Sequence, residues 1–269
     1  MKKLILAGLI LAVAAGMVAA GSSITIKGSD TLVRLGQRWA EEYMKLNKDA
    51  VIQVSGGGSG TGIAALLNGS TDICEASRDM KKKEYELAEK KGLKPYRVSV
   101  ALDGIAVYLN EANPVTDLTI AQLKDIYSGK IKNWKEVGGA DMQIVAVSRD
   151  SSSGTFEVWN HRVLGKKTRV RPDAQLQASN GAVAQAVAGN KNAIGYVGIG
   201  YLNDKLKGLK VGGVMASAKT AMDKSYPIAR GLNMYTRGEP KGVVKQFIDF
   251  VMSAEGQKIV VEEGFVSLK

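Results

Sequence analysis

Ten residues from Val147 to Phe156 carry the densest chemistry in the chain: Val-Ser-Arg-Asp-Ser-Ser-Ser-Gly-Thr-Phe. The apolar run Ile144-Val145-Ala146-Val147 reads as a buried strand, and Phe156-Glu157-Val158-Trp159 reads as the start of a helix. Between them, Arg149 offers a planar, permanently charged fork, Ser153 and Thr155 offer hydroxyls, and Gly154 lets backbone approach closely. A helix start leaves N–H groups unpaired and favours negative charge, so this stretch is suited to an anion. The same serines could equally be doing no more than capping a helix.

The pattern recurs. Val51-Ile52-Gln53-Val54 is an apolar strand running into Ser55-Gly56-Gly57-Gly58-Ser59-Gly60-Thr61-Gly62, and Ile63-Ala64-Ala65-Leu66-Leu67 begins a helix. No Lys-Ser or Lys-Thr follows these glycines, as a Walker loop requires. Their alternate spacing is not a dinucleotide fingerprint, and Thr61 stands where a nucleophile elbow needs glycine. Backbone amides with Ser59 cradling an anion account for the loop better than a flexible connector does. Near the start, Ile24-Thr25-Ile26 is a strand, Gly28-Ser29-Asp30-Thr31 a turn, and Leu32 to Asn47 a helix with Leu35, Trp39, Tyr43 and Leu46 on its core face.

Asp72 to Arg78 is a further short strand ending in polar residues, followed by Tyr85, Ala88 and Leu93 as an apolar stripe. Arg97 to Val107 is a long apolar strand interrupted by Asp103-Gly104, and it could cross between two lobes. Asp103 is there either as a turn former or as a buried site residue. Leu118 to Trp134 is a capped helix with a Gly129 stop and an aromatic anchor. Ser179-Asn180-Gly181 opens another helix, Ala193 to Val197 is a strand, and Val243 to Met252 forms the last helix. Strands alternating with helices, with polar loops at strand ends, predict an α/β fold with ligand at the carboxyl ends of the strands.

Lys2-Lys3, the apolar run Leu4–Ala20 and the small residues Val18-Ala19-Ala20 have the plan of a cleavable secretory signal over residues 1–20. One cysteine, Cys74, rules out an intrachain disulfide and reads as a buried, inert thiol. With one histidine, His161, beside it in the count, a metal site of the usual ligands is not expected, and no cofactor is implied. Without Lys2 and Lys3 the chain holds 35 basic and 26 acidic residues, a balance that favours anionic partners. Aromatics at 6% and the lack of a basic-aromatic platform argue against nucleic acid.

Taken together, Gly28-Ser29-Asp30-Thr31, Ser59-Gly60-Thr61-Gly62, Arg149 with Ser153-Gly154-Thr155, the segment Leu123 to Trp134 and Ala193-Ile194-Gly195-Tyr196-Val197 resemble the phosphate-binding proteins of bacterial phosphate ABC transporters. The resemblance spans essentially the whole mature chain. It implies a two-lobed periplasmic-binding-protein fold (type II-like), each lobe a sheet flanked by helices, with two crossover hinge strands. The first lobe would be residues 21–101 plus 228–269 and the second 102–227, with crossings near Ser99–Ala101 and Tyr226–Ile228. It further implies a monomeric periplasmic receptor that binds inorganic phosphate and delivers it to transmembrane permease subunits. The phosphate-binding set expected on this basis is Ser29, Thr31, Leu32, Ser59, Arg78, Asp103, Arg149, Ser153, Gly154 and Thr155. Many relatives have an aspartate where this chain has Arg78, which leaves Asp103 as the nearest acid to accept phosphate's proton, or to pair with Arg78 or Arg149. A receptor for sulfate, molybdate or another oxyanion, and a surface-exposed phosphate sensor or adhesin, are rival readings of the same class. A secreted phosphatase is a rival of another class and would need an activated nucleophile or metals, whereas His161 reads as a surface residue.

Overall fold

The computed structural model describes residues 22–165, 167–201 and 206–269; the expected signal segment lies outside them. Ten strands run in chain order: β1 Ser22–Gly28, β2 Ala50–Ser55, β3 Ile73–Ala76, β4 Tyr96–Asn110, β5 Asp117–Leu118, β6 Val145–Arg149, β7 Gln175–Gln177, β8 Ala193–Gly198, β9 Leu206–Val211 and β10 Ala229–Thr236. The helices are α1 Val33–Leu46, α2 Ser59–Asn68, α3 Lys82–Lys90, α4 Ile120–Ser128, α5 Gly154–Trp159, α6 Asn180–Ala188, α7 Ala218–Met222, α8 Gly242–Val251 and α9 Ala254–Glu262.

The sheet order is β2-β1-β3-β10-β4-β8-β6-β7, with β9 also on β4 and β5 on β9. Strand β4 organises it. Its 15 residues extend about 50 Å at the usual rise per residue. From Tyr96 to Gly104 it pairs with β10, and from Ile105 to Asn110 with β8 and β9. The chain is thus a two-lobed α/β fold in which one strand belongs to both halves of a curled sheet. Asp103-Gly104 is not a turn, because the ladder runs through it unbroken on the β10 side.

Local signals place most elements where the pattern puts them. Thr119 accepts from Gln122 N–H, and Gly129 closes α4 at φ 81°, a left-handed angle that glycine adopts without a Cβ penalty. Helix α1 buries Leu35, Trp39 and Tyr43, but Leu46 is exposed, since the helix ends there and its last turn leaves the core. Only Ala88 of the expected α3 stripe is fully buried; Tyr85 faces water. Helix α9 was not expected as a separate element. Ser253 caps it, and its Gly256 packs so closely on Phe250 O that a Cβ would lie 2.2 Å from that oxygen.

The first lobe holds one unusual group. Glu75 on β3 is fully buried beneath α1, and neither carboxylate oxygen has a hydrogen-bond partner among the described residues. A Cβ at position 36 would come within 2.3 Å of its Oε1, so glycine at that point of α1 makes room for the carboxyl. Burial pushes this carboxyl well above its ordinary value, so the folded protein holds it neutral. Above about pH 4.3 the unfolded chain releases this proton while the folded one keeps it, so stability falls as pH rises. One retained proton corresponds to about 1.4 kcal/mol per pH unit. Glu75→Gln should lose that component of the slope in urea unfolding as pH rises from 5. Identical slopes for the two proteins would show the carboxyl to be ionised in the fold.

Candidate functional site

Four loops meet at the seam between the halves. The β1–α1 turn brings Ser29, Asp30 and Thr31; the N-terminus of α2 brings Ser59; the end of β3 brings Ser77; the β6–α5 loop brings Arg149 and Ser153 to Thr155. Ser29, Thr31, Ser59, Ser77, Arg149, Ser153 and Thr155 are all essentially inaccessible to solvent. Ser29 Oγ donates to Ser77 Oγ at 2.8 Å, Ser59 Oγ lies 3.3 Å from Ser77 Oγ, and Ser77 N–H donates to Ser59 Oγ at 3.0 Å. Across the seam, Thr31 Oγ1 and Thr155 Oγ1 are 3.1 Å apart. The halves also meet through Gly60 N–H to Ser152 O at 2.9 Å and Ser152 Oγ to Gly57 O at 3.0 Å.

Arg149 is the centre of charge. Its Nε donates to Gln177 O at 3.1 Å and its Nη2 to Ala178 O at 2.9 Å, which fixes the plane of the guanidinium. The remaining Nη1 is buried without a hydrogen-bond partner among the described residues, and Asp30 Oδ2 is 3.7 Å away. Asp30 is itself committed: its Oδ2 accepts from Asn180 N–H and Asn180 Nδ2, each at 2.7 Å. Burial lowers the guanidinium's pKa, opposed by Asp30 and Asp150, but an arginine remains charged. Below the loop, Trp159 stacks on Tyr196 with centroids 4.0 Å apart, and Ser148 Oγ and Tyr196 OH are 2.8 Å apart. This packed floor holds the β6–α5 loop rigid under its serines. Ser153 also accepts from Phe156 N–H, so it caps α5 as well as facing the seam.

Three expected contacts fall differently. Asp103 pairs with neither Arg78 nor Arg149. Its Oδ2 receives Arg230 Nε at 2.8 Å and lies 2.7 Å from Arg230 Nη2, while Oδ1 accepts Ile199 N–H at 3.0 Å. The two residues are direct cross-strand neighbours on β4 and β10. Burial raises the Asp103 carboxyl above its ordinary value, opposed by Arg230 and by the Ile199 and Gly104 N–H groups. Arg78 is turned out of the cluster, bidentate to Glu84 at 2.7 Å for each bond, with Nε 2.9 Å from Glu157. Leu32 N–H already donates to Ser29 O at 3.0 Å as part of the turn, so it is not a free donor.

Arg230, Ser77 and Asn180 were not expected at the site. Arg230 donates from Nη1 to Thr155 Oγ1 at 2.9 Å and from Nη2 to Thr31 Oγ1 at 3.2 Å, touching both halves. Its signal was present in the sequence: Asp103-Gly104 and Arg230-Gly231 are opposite charges, each before a glycine in an otherwise apolar run. Asn180 reaches Thr31 Oγ1 at 3.3 Å besides holding Asp30. What converges is one uncommitted cationic edge, a second guanidinium and a set of small hydroxyls, the donors that a compact tetrahedral oxyanion requires.

The model of the PBP superfamily domain matches residues 14–255. The chain is 36% identical over 255 residues to the phosphate-binding protein PstS of Bacillus subtilis (strain 168), covering 94% of this chain and 83% of that one. It is 33% identical over 264 residues to phosphate-binding protein PstS of Pseudomonas aeruginosa (strain PAO1), covering 90% and 81%. A putative phosphate ABC transporter substrate-binding protein from Clostridium perfringens, solved with bound phosphate, superposes with a TM-score of 0.87 at 37% identity, over 92% of this chain and all of that one. An ABC-type phosphate transport receptor from Vibrio cholerae gives a TM-score of 0.76 at 32% identity, over 91% and 100%.

Gly154 marks how tightly the seam closes, since a Cβ there would lie 2.3 Å from Ser59 Oγ and 2.7 Å from Ser77 Oγ on the opposite half. Overpacking of this kind costs about 1–3 kcal/mol, which would shift an open–closed balance about five- to 150-fold toward open. Gly154→Ala should therefore show a larger radius of gyration than the parent protein in small-angle scattering. An unchanged radius would mean that the two halves do not need this approach.

Proposed function

The chain belongs to the PBP superfamily and to its phosphate-binding proteins, and from that premise we propose that it is a receptor for inorganic phosphate serving an ABC permease. The observation that carries this reading is Arg149 Nη1, buried with no hydrogen-bond partner among the described residues, at a seam where Ser and Thr hydroxyls of both halves are buried as well. Asp30, 3.7 Å away and shared with Asn180, compensates this edge only in part, and an oxyanion held there would add charge-assisted hydrogen bonds. The contacts we assign to phosphate are Ser29, Thr31, Ser59, Arg149, Ser153, Gly154 and Thr155, with Arg230 and Ser77 added. Arg78 is removed from the set, Leu32 serves as the turn behind Thr31, and Asp103 acts through Arg230 by holding its fork toward the threonines.

The partner switch of β4 between Gly104 and Ile105 supports a first lobe of residues 22–104 plus 229–269 and a second of 105–228. Ligand touching both lobes stabilises the closed arrangement by its higher affinity for it. Delivery to a permease then requires only reopening, and binding without catalysis is the activity this site supports. A periplasmic location follows from the basic and apolar leader in the sequence. None of the helices of the described residues is long and apolar enough to cross a membrane.

Isothermal titration with phosphate and sulfate tests the reading. Arg149→Ala should weaken phosphate binding by some hundreds- to thousands-fold, because removing one partner of a buried charge pair costs roughly 3–5 kcal/mol. Near-parental affinity in this variant would place the anion elsewhere.

A further inference from the structure

Helix α5 carries one charged residue, Glu157, whose side chain leaves the anion cluster. Two residues after Thr155, Glu157 reaches across the seam to the other half, with Oε2 2.9 Å from Arg78 Nε and Oε1 against Lys81 Nζ. Only the Nε edge of Arg78 is left for it. Glu84 already grips Arg78 in a bidentate fork, and Lys81 N–H donates to Glu84 Oε2 at 2.7 Å, so α3 and the end of β3 form one braced unit. Burial raises the Glu84 carboxyl, and Arg78 with the Lys81 N–H more than reverses this, leaving it below its ordinary value and ionised. Asp79, the other acid nearby, is taken by Arg97 at 2.8 Å.

Among the described residues, the ion pairs of Glu157 therefore form only across the seam. On one side Arg78 and Lys81 outweigh Glu84 by one positive charge; on the other, Glu157 is negative, and both of its ion-pair partners belong to the opposite half. The Arg78 and Glu157 side chains are 5% and 19% exposed, so the pair is shielded more than a surface ion pair. These groups also wall a groove of about 410 Å³, together with His161 and Arg162, and Arg230 of the anion cluster lines it too. Separation of the halves would break the Glu157 pairs at the mouth of that groove.

We propose that Glu157, with Arg78 and Lys81, is a closure latch: a positioning device that sets how long the closed protein retains its anion without touching it. It rests on the phosphate reading above. Interactions made only in the closed state slow dissociation more than they speed capture. The test is stopped-flow kinetics with inorganic phosphate on the parent protein, Glu157→Gln and Lys81→Gln. Glu157→Gln should raise the dissociation rate roughly tenfold, with the association rate within about twofold and the affinity lowered by the same factor. Lys81→Gln should have a smaller effect, and the double variant should be no worse than Glu157→Gln alone. Added salt should speed release from the parent protein and have less effect on Glu157→Gln. An unchanged Tm of ligand-free Glu157→Gln separates the latch from a merely structural role. A parent protein that binds phosphate and a Glu157→Gln variant that retains it equally long would overturn the latch alone. A parent protein that gives no phosphate signal would remove the phosphate reading and the residence-time claim with it.

Discussion

Everything at the seam depends on one guanidinium buried with one edge uncommitted. Two of Arg149's three nitrogens are bound to the carbonyls of Gln177 and Ala178, and the third has no hydrogen-bond partner among the described residues. The nearest carboxylate, on Asp30, is drawn off by Asn180. Such an arrangement would be a poor way to stabilise a fold, since a charge removed from water needs compensation. It is a good way to make closure depend on an anion.

The second guanidinium solves a different problem. Arg230 sits opposite Asp103 where β10 pairs with β4, just before β4 changes partners. Neutralised by Asp103, it can touch Thr31 of one half and Thr155 of the other without bringing a further free charge into the site. The result joins the strands that link the halves to the hydroxyls assigned to phosphate. The small residues between them have a related purpose. Gly154 lets the α5 loop approach Ser59 and Ser77, a contact that any Cβ would block.

The sequence revealed more of the fold than of the side-chain directions. Strand–loop–helix order, the caps of α4 and the Arg149–Thr155 loop were legible because each is a local signal a few residues long. Arg230 was legible only as a charge before a glycine in an apolar run; its pairing with Asp103 depends on the register between two strands that lie far apart in the chain. Arg78 and Asp103 were recognised as unusual, but which way each points is set by neighbours contributed elsewhere: Glu84 and Glu157 for one, Arg230 and Ile199 for the other. Leu46 fits the helical period of α1 and is nonetheless exposed, since periodicity does not say where a core ends.

The most direct test of the account is the state of Arg149's side chain, read by nitrogen-15 NMR of the arginine guanidinium groups during a phosphate titration. Binding at the uncommitted edge should slow rotation of this group and resolve its Nη–H signals, which should be missing in Arg149→Ala. Saturation of the protein with phosphate while the Arg149 signals stay unchanged would contradict the account.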